Sequence, residues 1–517
     1  MTAVRSRSAL AMALAALLLF TFRSSSRGLW NPDEPREAEI AREMFADGDW
    51  ALPHLNGQPF VEKPPLYAWL SCVCFWILGG PDPLAARLPS SICGALLVLI
   101  TVIAARRLVA PDRAWIAGLS LSTMPLLWWH SSRANLDVPL SLFIGVALLC
   151  FLRAYLRAGG QEGPVWGLDV VVGAIALGLG FLTKGPVAAV LPGLIVITFL
   201  ATEGNLWFLR RVPWVRVLAL VSIVVLPWAI PFCLRDGGRW ARDMVVVHHL
   251  ELAIGVTAVS WHRPAGTVLR FAWAWLMAPV LFFSVSACKR DLYLLPAFPA
   301  VALLSVASVD LLDPDRRWAR RLAGASLTFA AVALVVVGIL FVRLPVKTQN
   351  PHIAEWIASQ ASTLGGLTLV FCAAGVSVGV LAVRSRYTAA VACLGVPAGC
   401  AALVALGALL PALDPVKSGR ALFAELASPR GVVGYRLMEG DLGIFTFQRQ
   451  GPIPLIQDPA EMERHLASGS RVVVQADKLD RDLSQLGRGA HVVARAPVGD
   501  SEFLLIDLGG RSDPKRR

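Results

Sequence analysis

The feature that most limits this chain is a series of long apolar runs, most of them ended by a short basic cluster, filling the sequence to about residue 410. Runs approaching 20 residues match the hydrocarbon thickness of a bilayer, and inside lipid every backbone polar group needs an internal partner, so such runs fold as helices. Charged residues make up only 16% of the chain and hydrophobic ones 56%, far from the quarter or so of charged residues usual in soluble domains. The net charge of +12 would suggest nucleic acid in a soluble protein. Here the basic residues lie between apolar runs, where they orient a membrane protein, and no basic stripe interleaves with exposed aromatics, so nucleic-acid binding is excluded. The nine cysteines (Cys72, Cys74, Cys93, Cys150, Cys233, Cys288, Cys372, Cys393 and Cys400) sit mainly inside apolar runs, as packing thiols rather than disulfide partners or a metal cluster.

Arg5 and Arg7 precede a first run, Ala9 to Phe22, which lacks a small-residue cleavage site and reads as a span with a cytoplasmic N-terminus. Later spans are expected at Leu88–Ala105, Ala114–Trp129, Val138–Leu152, Val165–Leu182, Val187–Leu200 and Trp214–Leu234, with Leu66–Leu78 too short for a plain crossing. Arg106–Arg107, Arg153, Arg157 and Arg210–Arg211 then fall inside, while residues 33–63, 133–137, 184 and 235–263 fall outside together. Beyond Pro264 the charges make two demands that one crossing cannot meet. Either Pro264–Ala287 does not fully cross, or another segment such as Met244–Ser260 does more than line a loop; placing Lys289 outside satisfies the later clusters. Adding Leu292–Val309, Leu322–Phe341, Leu364–Val383 and Ala389–Leu410 brings the expected count to about twelve.

From Asp414 the composition becomes that of a small soluble α/β domain, dividing the chain into 1–413 and 414–517. Ser418 and Asp458–Pro459 can start helices, and Val432–Tyr435, Leu442–Phe447, Arg471–Gln475, His491–Arg495 and Glu502–Ile506 read as short strands. The domain has no phosphate loop, metal-ligand spacing or nucleophile elbow.

The segment Asn31–Tyr67, NPDEPREAEIAREMFADGDWALPHLNGQPFVEKPPLY, carries twelve Asp, Glu, Arg, Lys and His side chains beside the membrane, and charge of that density marks a functional site. Pro35 suits a first helical turn, Asp33 or Glu34 can cap it and Gly48 can end it. Ile40, Ala41, Met44 and Phe45 share one face and Arg36, Glu39, Arg42 and Glu43 the other, the pattern of an amphipathic helix lying on a bilayer.

Residues 32–69, together with RANLD at 133–137, FLTKGP at 181–186, HRP at 262–264 and KRDLYLLPAFPA at 289–300, resemble the ArnT-like and protein-mannosyltransferase-like membrane glycosyltransferases of the GT-C fold. The resemblance covers roughly the first 310 residues. It implies an all-α polytopic GT-C domain whose first external loop, residues 24–64, is catalytic, a polyprenyl-phosphate-sugar donor, a lipid or protein acceptor and an extracytoplasmic active site. A sugar on a prenyl phosphate has a good leaving group at C1, so transfer needs a base for the acceptor hydroxyl and cations for the departing phosphate. Asp33 matches the family's first-loop catalytic acid and is the candidate base, with Glu34 and Asp137 as further catalytic carboxylates; the structural alternatives are a helix cap at Asp33 and an interfacial salt bridge between Arg133 and Asp137. Lys63, held extended by two prolines, suits a phosphate as a point charge, and Arg36, Arg133, Lys184, Arg263 and Lys289 complete the expected donor-phosphate set, against the plainer possibility that such cations snorkel to the interface. By family position Glu62 and His249 match a metal pair fit for zinc or a similar divalent ion, the implied cofactor. The chain departs from the family pattern at Glu37, where a Tyr is expected, and at Leu252, where an Arg is expected.

The expected function is an inverting, undecaprenyl-phosphate-sugar-dependent glycosyltransferase of the bacterial inner membrane, acting on a cell-envelope lipid such as lipid A, with its C-terminal domain also extracytoplasmic. A protein O-mannosyltransferase is the near alternative. A transporter or flippase would need ionisable residues at mid-membrane, whereas the candidates here sit at span ends, and a structural assembly protein would not need paired Asp33 and Asp137.

Overall fold

The computed structural model describes residues 2–159, 165–235, 266–285, 290–310, 317–343, 351–384, 386–426, 431–479, 490–498 and 501–508. Among these, seven helices are long and apolar enough to cross a bilayer, from Ser8–Ser26 to Cys393–Lys417, with five shorter apolar helices beside them. The chain is a multi-pass membrane protein, but length and composition alone do not reach the expected twelve crossings. Several bounds fall where the apolar runs placed them: Leu66–Leu78 and Trp214–Leu234 coincide with their runs, and Asp137–Arg157 and Ala361–Val383 extend theirs by a few residues.

Two membrane segments differ from expectation. Ala114–Trp129 is not one helix but two, Ala114–Thr123 and Pro125–Ser131, because Met124 is extended (φ −62°, ψ 121°). The ring of Pro125 disfavours the helical region for the residue before it, which breaks the run there. Thr267–Val285 joins opposite ends of the bundle: Arg270 near its start pairs with Glu203 at the end of Val187–Glu203, and Arg290 just past its end pairs with Asp33. Of the two alternatives for this region, that reach favours a full crossing by Thr267–Val285, and Arg290 places the described part of the Lys289–Asp291 cluster on the side of the first loop. Met244–Ser260 lies outside the described residues.

The first-loop helix spans Asp33–Asp47, and Gly48 ends it in the left-handed region (φ 71°), returning its N–H to Met44 O. No side chain caps its start, so Asp33 opens the first turn rather than capping it. It does not lie on the bilayer as an amphipathic surface helix. Glu39 and Arg42 are buried in a two-pronged ion pair of 2.8 and 2.9 Å, and Glu43 Oε1 and Oε2 accept from the N–H groups of Asn56 and Gly57. Protein covers both faces, with Leu66–Leu78 on one and the C-terminal helix Glu439–Arg449 on another.

That covering helix contains Leu442–Phe447, expected as a strand. Glu439 and Asp441 in its first turn and Arg449 in its last complement the helix dipole, and the six residues are buried throughout because the helix has protein on both sides. An apolar run this short does not distinguish a doubly covered helix from a strand. Phe447 joins the apolar cluster of Ala38, Ala41 and Met44, while Leu442 and Phe445 join that of the C-terminal sheet. The sheet has five strands in the order Leu455–Ile456, Val432–Tyr435, Arg471–Gln475, Ser501–Leu508, Ala490–Val498, with the first three parallel and the last two antiparallel to their neighbours. The compositional change at Asp414 falls inside the helix Leu410–Lys417.

The two helices meet at Gly443, where a Cβ would stand 2.9 Å from the Arg36 nitrogen and the Pro35 carbonyl. Backbone cannot retreat as a side chain can, so Gly443→Val is expected to destabilise the protein by about 1–3 kcal/mol through overpacking. A thermal unfolding midpoint for the detergent-purified variant equal to that of the parent would contradict this contact.

Candidate functional site

The site begins with the two acidic residues that open the first-loop helix. Successive side chains on a helix point about 100° apart, and here the two diverge completely. Glu34 turns into the bundle, 1% exposed. Its Oε1 accepts from Arg87 Nε at 2.7 Å and from the Ala134 N–H at 3.1 Å, its Oε2 accepts from the Trp30 N–H at 3.0 Å, and Arg133 Nε stands 3.7 Å away. Arg87, fully buried in the span Pro83–Leu108, also donates to the carbonyls of Ser24, Arg27 and Gly28. Burial alone would raise the Glu34 carboxyl, but Arg87 and Arg133 outweigh it and hold it down at about 2. A charge withdrawn from water in this way persists only when paired and fully hydrogen-bonded, and this one is.

Asp33 faces the other way, into a cavity of about 180 Å³. Arg36 donates to its Oδ1 at 3.1 Å and Arg290 to its Oδ2. Burial acts to raise this carboxyl; the bond and charge of Arg290, with Lys63 and Arg36 behind it, win and lower it. Next along the wall, Glu37 accepts from Lys63 Nζ at 2.8 Å and from Arg36 at 3.3 Å. Burial raises Glu37 too, and again Lys63 and Arg36 bring it down. Asp137, at the start of its span, pairs with Lys184 Nζ at 2.5 Å, and its N–H donates to Asn135 Oδ1 at 2.8 Å. The Lys184 ammonium lies 5.1 Å from the centre of the Tyr293 ring. Four carboxylates (Asp33, Glu37, Glu62, Asp137) and four cations (Arg36, Lys63, Lys184, Arg290) thus line one cavity.

Of the residues singled out by sequence, the structure brings Asp33, Asp137, Arg36, Lys63, Lys184 and Glu62 to this cavity. Glu34 and Arg133 are not on its wall. The Arg133 side chain serves the loop instead, donating to Trp30 O at 2.8 Å and lying 4.9 Å from the Trp129 ring centre. His249, Arg263 and Lys289 lie outside the described residues. Glu62 is therefore the one described member of the expected metal pair, and among the described residues no three His, Cys, Asp or Glu side chains gather into a metal site. The described residues do not make a zinc site by themselves, and no chemical step is routed through a metal here. Glu37 stood out in the sequence only as a departure from the family pattern, and Arg290 and Tyr293 only as part of the KRDLYLLP stretch that carries the resemblance.

Comparison with known proteins agrees with this architecture. Residues 62–230 match the family described as dolichyl-phosphate-mannose-protein mannosyltransferase. An undecaprenyl phosphate-alpha-4-amino-4-deoxy-L-arabinose arabinosyl transferase of Aeromonas salmonicida is 31% identical over 366 residues, covering 64% of this chain and 65% of the relative. Its counterpart in Pseudomonas aeruginosa strain PAO1 is 29% identical over 365 residues, covering 65% and 66%. The match thus spans just under two thirds of the length of these bacterial relatives. The crystal structure of ArnT from Cupriavidus metallidurans bound to undecaprenyl phosphate superposes with a TM-score of 0.78 at 20% identity, covering 97% of this chain and 99% of that one. The chain shares the fold of that structure.

Glu34→Gln would leave Arg87 buried without its counter-charge, at a cost of about 3–5 kcal/mol, and is expected to lower the unfolding midpoint sharply. Because the folded carboxyl is held at about 2 against an ordinary 4.5, its stabilisation is complete above pH 4.5 and is lost as the pH falls from there towards 2. An unfolding midpoint in detergent that changes with pH over this window equally in wild type and Glu34→Gln would remove Glu34 as the source.

Proposed function

We propose that this chain is an inverting glycosyltransferase that moves a sugar from a polyprenyl phosphate donor to a cell-envelope lipid, on the extracytoplasmic face of a bacterial inner membrane. One observation carries the proposal: Asp33 and Asp137, from separate loops, meet in one cavity at the ends of the spans, each partnered by cations suited to a phosphate. Separated loops that converge on a rigid helical scaffold build active sites. Mid-membrane ionisable residues, which a transporter would need, have no part in this cavity.

In the proposed reaction the acceptor oxygen attacks C1 of the sugar from the face opposite the phosphate. The new C1–O bond forms as the bond from C1 to the phosphate oxygen breaks, and the acceptor proton passes to Asp33. The prenyl phosphate goes from one negative charge to two, and Lys63 and Arg36, at the Asp33 end of the cavity, stabilise that growing charge. Lys184 pairs with Asp137 beside them.

The proposed side of the membrane follows from where the cations lie. Arg106–Arg107 end the span Pro83–Leu108, while Arg153 and Arg157 close the span that Asp137 opens and pair with Asp169. These clusters lie at the span ends away from the cavity, and basic residues mark the cytoplasmic side. The arabinosyl transferase names of the relatives support a pentose donor on undecaprenyl phosphate; the acceptor proposed with it is an envelope lipid such as lipid A. The mannosyltransferase family match supports protein O-mannosylation as the second possibility.

Mass spectrometry of envelope lipids and glycoproteins from a deletion strain, against strains complemented with wild type or Asp33→Asn, tests both. Loss of one sugar from a lipid, restored by wild type alone, is expected; loss from a protein would favour the second acceptor. Asp33→Asn should lower turnover about a hundredfold or more, and Lys63→Ala should raise the donor KM while the unfolding midpoint stays put. Full restoration of the sugar by Asp33→Asn would overturn the assignment.

A further inference from the structure

Resting on that function, we infer that Arg290 is a donor-phosphate ligand which, in the donor-free protein, is held on Asp33, so that donor binding is the event that frees the base. The four cations of the cavity are not equally committed. Arg36 bonds to Asp33 and Glu37 and reaches Glu439 at 3.9 Å; Lys63 is fixed by Glu37 and Lys184 by Asp137, and all three side chains are 15–23% exposed. Arg290 bonds to Asp33 and is 41% exposed. Its backbone is extended (φ −120°, ψ 140°) ahead of the short helix Asp291–Ala297, so its guanidinium swings without disturbing a span.

The charges favour an exchange of partners. The cavity wall is balanced, four against four, and a sugar phosphodiester adds one negative charge beside Asp33. Two anions then compete for Arg290. The entering phosphate draws Arg290 from Asp33 on binding, and its hold strengthens during transfer, when breakage of its bond to C1 leaves it with two charges and the acceptor proton neutralises Asp33. Arginine is suited to this exchange, since its planar fork binds carboxylate and phosphate with the same geometry. While Arg290 and Arg36 occupy both oxygens of Asp33, its lone pairs are engaged and it is a weak base; once Arg290 leaves, one oxygen opens towards the acceptor. The groups facing Asp33 are Arg36 and Glu37 on its own helix, Lys63 from the following loop, Arg133 from the loop before the Asp137 span, and Arg290. Of these, Arg290 makes the largest opposing contribution to the burial of Asp33.

The test compares wild type, Arg290→Gln and Arg290→Lys, all as full-length protein in detergent, in two measurements. In the first, direct binding of undecaprenyl phosphate should weaken about tenfold to a hundredfold in Arg290→Gln, the loss of one charge-assisted contact, and recover in part in Arg290→Lys, with unfolding midpoints unchanged. In the second, the acid limb of the pH profile of kcat/KM reports the donor-free enzyme and that of kcat the loaded one. In wild type the kcat limb should lie at higher pH, because loading removes Arg290 from Asp33. In Arg290→Gln the kcat/KM limb should rise to meet it. Equal binding by wild type and Arg290→Gln overturns the inference, as does an unmoved kcat/KM limb. A wild type that binds undecaprenyl phosphate, with binding sensitive to Arg290, yet transfers no sugar would overturn the glycosyltransferase function and leave the phosphate contact standing.

Discussion

The buried ion pair between Glu34 and Arg87 is the contact on which the rest of the site depends. It joins the first turn of the loop helix to the middle of the loop before it, through the Arg87 bonds to the Ser24, Arg27 and Gly28 carbonyls, and to the loop that carries Asp137, through the Ala134 N–H. Removing two charges from water is costly, and the geometry answers it by giving both Glu34 oxygens donors and each Arg87 nitrogen an acceptor. The consequence is positional. Asp33 is covalently next to a residue that cannot move, and the helical turn between them points its carboxylate into the cavity.

A second restraint comes from the far end of the chain. The C-terminal domain clamps the first loop at several points: Asn31 Nδ2 donates to Asp441 at 2.6 Å, Asn56 exchanges two hydrogen bonds with the Ile453 backbone at 2.9 and 2.8 Å, and Gly443 lies flat on Pro35 and Arg36. Asp414, at the start of that domain, accepts from the Gly28 N–H at 2.7 Å and from Trp30 Nε1 at 2.9 Å. A loop of this length would otherwise sample many conformations, and ordering it costs about 1–2 kcal/mol per residue. The domain offsets part of that by adding Phe447 to the buried cluster that holds Ala38, Ala41 and Met44, so a module without catalytic motifs of its own contributes the rigidity a site needs.

The cavity shows how charge can be kept near a membrane at modest cost. Asp33, Glu37 and Asp137 each hold a cation, so each of these three carboxylates meets its counter-charge on the wall itself. On the proposed function, an entering phosphate meets cations already gathered on these carboxylates. Site chemistry of this kind draws on contacts already made, and preorganised charges act where new charge develops.

Much of this architecture was legible in the residues alone. Apolar length located the spans because backbone in lipid has no alternative to internal hydrogen bonds, and Trp214–Leu234 and Leu66–Leu78 fall where those runs begin and end. The density of charge in Asn31–Tyr67 marked the site, and the strand Arg471–Gln475 followed from its β-branched core. Other features depended on partners distant in sequence. Leu442–Phe447 is a helix because protein covers it on both sides, and the charged face of Asp33–Asp47 is buried because the C-terminal domain covers it. Asp33 and Glu34 are adjacent acids with the same local pattern; only the position of Arg87, 53 residues away from Glu34, decides which is buried and which faces the cavity. Arg290, 257 residues from Asp33, is placed on it by the packing of the Thr267–Val285 span. Local pattern and solvent settle which segments are helices in the membrane, whereas the partner of each buried charge is settled by the fold, because a charge takes its counter-ion from whatever the packing brings within reach.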